Sequence, residues 1–314
     1  MSRQLPPSAD WTGHPTVDAV FDVVRDTAGE VRAALPERRA YVEGHNPSGE
    51  KVRAADEYAD ELFCERLLAL PSVASYASEE RQAVQRADDG GEFHLALDPL
   101  DGSSNLTSNN PMGTIVSVYD EPVPTGGANL VAAAFVLYGP NTTMVVSDGE
   151  SVDEYLIEGS EGRSPSESRT ESGDAGRGER TLLREDLTLP DDPTVYAFGG
   201  RRPDWTDGVT AAVEDLEADR LKLRYGGAFI ADVMQVLTHG GVFAYPELAD
   251  APEGKLRYCF ECAPVGFVVT AAGGRVSDGY DDLFEHDPDD LHGRSPIYLG
   301  NSELVDRVEA SLSS

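Results

Sequence analysis

Lysine is nearly absent from this sequence: only Lys51, Lys222 and Lys255 occur in 314 residues, so almost all positive charge is arginine. Basic charge as a whole is scarce, with 25 Lys plus Arg against 57 Asp plus Glu and a net charge of −32. A surface of that sign repels phosphate backbones and anionic lipid, which excludes nucleic acid and membrane surfaces as partners. Cysteine is also rare. Cys64, Cys259 and Cys262 give no disulfide framework and suit a reducing compartment. The last two form a CxxC, but LRYCFECAP around them reads as a strand, on which positions three apart face opposite ways, so structural thiols are expected. No apolar run reaches membrane-spanning length, and the start MSRQLPPSADW carries no apolar signal region. The expectation is a soluble, cytoplasmic protein.

Hydrophobic residues make up 40% and charged residues 26%, the balance of a globular chain, and the length allows two halves around a large core. The acid excess with few lysines resembles proteins of salt-in halophiles. Self-repulsion in so acidic a chain is screened when the Debye length falls to about 3 Å near 1 M salt. Val17, Val20, Phe21, Val24, Ala28, Val31 and Leu35 recur at helical spacing and stop at Pro36. A turn-rich stretch, His45 to Gly49, precedes a second helical pattern from about Val52 to Leu70. Short apolar runs at Ser72–Tyr76 and Phe93–Leu97 each close on carboxylates: Glu79-Glu80 after the first, Asp98 and Asp101 after the second. Met112–Tyr119, Asn129–Tyr138 and Thr142–Ser147 read as strands of a meander. Glu158 to Arg180 is almost entirely Glu, Ser, Gly, Arg and Thr, and is expected to be a disordered surface loop. Beyond it, strands and helices alternate: Thr194–Phe198, Asp207–Leu216, Ala228–Leu237, Val242–Tyr245 and Leu256–Glu261. The expected division is therefore 1–157, an α/β half with most acidic ligands; 158–180, the loop; and 181–314, a second α/β half.

The segment LALDPLDGSSN, Leu95 to Asn105, is the most specific feature. Pro99 and Leu100 stiffen the turn so that Asp98 and Asp101 can converge on a hard cation such as Mg²⁺ or Mn²⁺. Gly102 lets the backbone turn sharply, and the N–H groups of Ser103 and Ser104 then suit a phosphate. An ordinary Asx turn would explain a lone DPxD, but not eight residues in this order.

DPLDGSSN, with Ser78-Glu79-Glu80 before it, resembles class I fructose-1,6-bisphosphatases of the lithium-sensitive phosphatase superfamily. Arg224-Tyr225, Ala231-Asp232-Val233, Tyr245-Pro246, Gly254-Lys255-Leu-Arg257, Glu261-Cys-Ala-Pro and Arg294-Ser-Pro-Ile-Tyr-Leu-Gly follow the same family order. The resemblance implies a layered αβαβα sandwich, hydrolysis of the 1-phosphate of fructose 1,6-bisphosphate in gluconeogenesis, two or more Mg²⁺ or Mn²⁺ ions, and a homotetramer. It implies metal ligation by Glu79, Asp98, Asp101, Glu261 and the Leu100 carbonyl, and water activation by Asp56 and Glu80. Tyr225, Tyr245 and Lys255 match the pocket for the phosphate that is not cleaved, Arg224 a residue given across a subunit interface, and Arg257 an arginine near the sugar and the scissile phosphate.

Four positions depart from the family pattern. Glu50 replaces an Asp in a loop over the metals; Gly199 replaces an Asn and Arg202 a Tyr at the second-phosphate pocket, where Arg202 is expected to supply a phosphate contact. Glu92-Phe93 replaces the Lys-Tyr pair of the AMP site, so no AMP inhibition of the usual kind is expected. Sedoheptulose-1,7-bisphosphatase shares nearly all these motifs and stands as the alternative. An inositol-phosphatase-like activity usually has Thr after DPxDG, and a non-catalytic sugar-phosphate sensor should have lost at least one of the acids.

Overall fold

The computed structural model describes residues 10–47, 49, 51–88, 90–157 and 180–313. Glu50 and most of the polar 158–180 insert lie outside the described residues.

The chain forms five layers. Helices α1 (Pro15–Ala34) and α2 (Ala54–Leu68) cover one face of an eight-stranded sheet. The alternation of the central strands explains how both faces are filled, since Leu95, Leu97, Val116 and Val118 pack toward α1 and α2 while Ala96, Ile115 and Tyr119 face the other way. On that second face lie α4 (Phe229–His239) and α5 (Ala263–Ala271), which form the middle layer. A five-stranded sheet follows, with Val195, Ala197, Phe243 and Leu299 turned inward to the same core. Its outer face carries α3 (Asp207–Ala218) and α6 (Ser302–Leu312) through Val209, Leu216, Val305 and Val308. The architecture is thus the αβαβα sandwich that the sequence leads one to expect.

Two features differ from the sequence reading. Arg180–Arg184 pairs antiparallel with Val152–Ile157, so the polar insert joins two neighbouring strands and the first sheet includes the start of the 181–314 segment. Leu256–Glu261 is not one strand. Pairing stops at Arg257, and Tyr258–Cys262 is a π-helical turn running directly into α5. Both Cys259 and Cys262 are buried free thiols there, each directed at a backbone carbonyl, of Thr125 and Ser295 respectively.

The halves share one core rather than a seam. Tyr119 is fully buried from the first sheet, and its hydroxyl donates to the Cys259 carbonyl at 3.2 Å. Leaving such a buried hydroxyl unpaired would cost about 1–3 kcal/mol, so the contact fixes the π-helical turn against the first sheet.

Candidate active site

Strand direction explains why the acids meet. Val73–Ser78 runs parallel to Phe93–Asp101, with Ser78 opposite Leu97, so both strands end at the same sheet edge. The chain leaving the first strand is held there by the Glu79 N–H, which donates to the Leu97 carbonyl at 3.1 Å. Glu79 and Glu80 therefore lie beside Asp98 and Asp101. Ligand sites of open α/β sheets form at carboxyl ends of this kind.

The second half supplies the remaining acid. The π-helical turn brings the Glu261 carboxylate back onto the Arg257 N–H, 2.6 Å away, where it faces the strand-end acids. Carboxylate oxygens of Glu79, Asp98 and Glu261 all lie within 4.8 Å of one another, and all three residues are buried. Burial raises the carboxyl pKa values of Asp98, Asp101 (to about 7) and Glu261 (to about 8), and the repulsion between these neighbours adds to it. The arrangement suits a hard divalent cation, which takes carboxylate oxygens and removes that repulsion.

Asp101 also carries a structural contact, accepting from the Phe229 and Ile230 amides at 3.1 and 2.9 Å at the start of α4. Gly102 makes this approach possible. Its φ of 71° is left-handed, and a Cβ there would come within 2.3 Å of the Ala228 Cβ. The chain then enters a 3-10 turn, Ser103–Leu106, whose first two residues line the cleft.

Asp56 sits in the first turn of α2 and accepts from the Arg53 N–H at 2.8 Å, which fixes its carboxylate at the mouth of the acidic cluster. Glu80 accepts from Asn46 at 3.5 Å through Oε1, while Oε2 is buried with no hydrogen-bond partner among the described residues. Burial and then repulsion from Asp56 push its carboxyl pKa up to about 7. Near neutral pH this group can exchange a proton with a water held against it.

A cleft of about 310 Å³ opens among these groups. Asp56, Glu79, Glu80, Asp98, Asp101 and Glu261 line one part, and Tyr245, Lys255 and Arg257 another. The Lys255 ammonium lies 5.3 Å from the centre of the Tyr245 ring, whose hydroxyl is 3.0 Å from that of Tyr225. Arg257 is buried, with its guanidinium 3.0 Å from Glu79. Three residues named from sequence are not among the lining: Tyr225, which is exposed and meets the cleft through the Tyr245 hydroxyl, and Arg202 and Arg224. Arg202 is exposed and paired with Glu214 on α3 at 2.5 Å, and Arg224 is exposed with a 3.5 Å contact to Gln235. Neither lines the cleft.

Five lining residues were not singled out as site residues from sequence: Tyr41, Asn46, Arg53, Gly227 and Leu256. Arg53 had a readable signal, since it stands three residues before Asp56 at a helix start. Asn46 lies in the turn-rich stretch already noticed, but nothing in its local pattern points to Glu80.

Residues 28–165 match the family model described as fructose-1-6-bisphosphatase, N-terminal domain, and residues 189–313 match the model for its C-terminal domain. The fructose-1,6-bisphosphatase class 1 of Natronomonas pharaonis is 51% identical over 296 residues, covering 94% of this chain and 98% of that one. The chain belongs to the class 1 fructose-1,6-bisphosphatase family. Another member, from Haloarcula marismortui, is 48% identical over 297 residues, covering 95% of each chain. Among solved structures, Leishmania major fructose-1,6-bisphosphatase in holo form superposes with a TM-score of 0.86 at 25% identity, covering 96% of both chains. Family membership makes the protein a metal-dependent phosphatase, and the buried acids of the cleft are a donor set fit for the metal. No helix among the described residues is long and apolar enough to cross a membrane.

Proposed function

We propose that this cleft removes the 1-phosphate of fructose 1,6-bisphosphate with Mg²⁺, or Mn²⁺ in its place, to give fructose 6-phosphate and inorganic phosphate. The observation that carries the reading is one cleft holding six carboxylates from both halves of the chain beside Tyr245, Lys255 and Arg257. Glu79, Asp98, Asp101, Glu261 and the Leu100 carbonyl are the residues that would hold two or more ions. Bound there, the metal would supply Lewis-acid chemistry, offsetting charge on the phosphoryl group and making water more acidic.

The chain's own residues do the rest. Asp56 and Glu80 orient the water, and Glu80 accepts its proton as the oxygen attacks phosphorus and the bond to the sugar oxygen breaks; that oxygen leaves with a proton from solvent. The amides of Ser103 and Ser104 receive the phosphoryl oxygens. Lys255 and Tyr245 hold the phosphate that stays on the sugar, with Tyr225 fixing the Tyr245 hydroxyl. Arg257 keeps the Glu79 and Glu261 carboxylates in register and places its positive charge beside the anionic substrate. Arg224, exposed and outside the cleft, is available to a neighbouring subunit in a homo-oligomer.

The test is phosphate release in high KCl with Mg²⁺ from fructose 1,6-bisphosphate, sedoheptulose 1,7-bisphosphate, fructose 6-phosphate and an inositol monophosphate. The fructose bisphosphate should give the highest kcat/KM. A higher value for the sedoheptulose compound would reassign the substrate.

A further inference from the structure

A second cavity, of about 540 Å³, lies beyond the far end of the Ser103–Leu106 turn, where the C-terminal end of α1 meets residues 109–112 and 138–140. It falls within the roughly 300–1,000 Å³ typical of small-molecule sites. Its charge is unusual for this chain. Although Asp and Glu number 57 in the sequence, no acidic residue among the described residues lines this cavity, while Arg32 and Arg39 both do. Among the described residues, no carboxylate pairs with either guanidinium. Arg32 donates to the Gly139 carbonyl at 2.9 Å and to the Thr142 hydroxyl, and Arg39 donates to the Thr107 carbonyl at 3.0 Å.

These neutral contacts fix the two forks in place and leave further N–H groups for a ligand. Arg32 stands in the last turn of α1, where a cation offsets the helix carbonyls. That accounts for one positive charge at this end, but not for Arg39, which lies beyond the helix. Leu35, Pro36, Leu106, Met112 and the ring of Tyr138 give the wall an apolar part, and Asn109 and Asn110 are its uncharged polar side chains. The Tyr138 hydroxyl is already paired with Thr114 at 2.9 Å, so it makes no polar demand on an occupant.

We propose that this cavity binds a small molecule with a carboxylate or phosphoryl head, taken by Arg32 and Arg39, and an aromatic or other apolar body seated against Leu35, Leu106 and Tyr138. Occupancy can be felt in the catalytic cleft, because the Ser103–Leu106 turn borders both spaces. A second link runs through Arg39, whose carbonyl accepts from Arg53 at 3.2 Å, and the Arg53 N–H in turn holds Asp56.

The experiment is isothermal titration of the full chain in molar KCl with EDTA, where loose anion contacts are screened and the metal site offers no competing cation. The probes are 1-naphthoate, phenylphosphonate and the neutral 1-naphthamide. At least one anionic probe should bind one per chain, at least tenfold more tightly than the amide. Arg39→Gln should weaken that binding at least tenfold. Asn110→Trp, a change at an exposed residue on the cavity wall that keeps both arginines, should block it by volume. Lys255→Met, in the catalytic cleft, should leave it within twofold. No binding at millimolar probe, or binding lost in Lys255→Met and kept in Arg39→Gln and Asn110→Trp, would overturn the proposal.

Discussion

Asp101, from the first half of the chain, accepts the amide of Ile230 from the second at 2.9 Å. The N-cap of α4 is Ala228, which offers no side-chain acceptor, so the helix start takes its acceptor from a distant strand end. One carboxylate thereby joins the two halves at the acidic cleft. Replacing it should reveal both tasks. At pH 6 in EDTA, Asp101→Ala should lose about 1 kcal/mol of stability, as for a deleted helix cap, and Asp101→Asn, which keeps an acceptor oxygen, should lose less. Both should lose turnover. Urea melts check the first point, and equal stability of the two variants would count against the capping role.

The same cluster sets a pH dependence whose sign reverses with metal. Burial first, and then mutual repulsion, raise Asp98, and raise Asp101 to about 7 and Glu261 to about 8. The folded metal-free protein thus holds protons that the unfolded chain has released above about pH 4. Stability without metal is fullest below that pH as far as these groups are concerned, and is lost as pH rises through about 8. A divalent ion binds the deprotonated acids, so its stabilising effect must grow over the same window. Thermal melts at pH 6 and pH 8, with EDTA or excess Mg²⁺, should show the metal-induced rise in Tm to be larger at pH 8.

The layered fold was legible because its signals are local and repeated. Apolar residues of α1 recur at helical spacing up to Pro36, and strand-end acids follow two apolar runs. Tyr258–Cys262 was not legible, since LRYCFEC has the aromatic and alternating character of a strand. The turn exists because contacts distant in sequence hold it, among them Tyr119 on the Cys259 carbonyl and the Tyr258 hydroxyl accepting from the Gly127 amide at 3.0 Å. Its consequence is chemical, because a strand through residue 261 would not bring that carboxylate onto the Arg257 amide. Asn46 is hidden for a similar reason: what ties it to the cleft is its contact with Glu80, distant in sequence.

The pocket proposed for the second phosphate gives a paired prediction. A Cβ at Gly199 would fall 2.2 Å from Cδ1 of Tyr245, so the bare glycine is what lets that ring lie where it does beside Lys255. Gly199→Asn should displace the ring and raise KM for the bisphosphate several-fold with little change in kcat. Arg202, 54% exposed and held by Glu214, is placed outside the cleft. Arg202→Ala should therefore change KM less than twofold for bisphosphate and monophosphate alike. A rise confined to the bisphosphate would instead restore the phosphate contact expected from sequence.

Most of the acid excess lies far from the cleft, and α2 shows what it does. Glu57, Glu61 and Glu65 are exposed on that helix at four-residue intervals, so each faces the next with like charge. Such pairs each destabilise a helix by about 0.2–0.5 kcal/mol when unscreened. Raising KCl until the Debye length is about 3 Å should remove most of this repulsion, so Tm should climb with KCl. Ionic strength acts on the charge, so the climb should flatten as pH is lowered toward the sequence pI of about 4.3, where enough carboxylates are protonated to bring the net charge to zero. Glu61→Lys isolates the local share: it replaces two repulsions with two attractions, stabilising the protein by about 1 kcal/mol in dilute buffer and by much less in molar KCl. Melts of both proteins across a KCl series check this, and a gain independent of salt would show that helix propensity rather than charge is responsible.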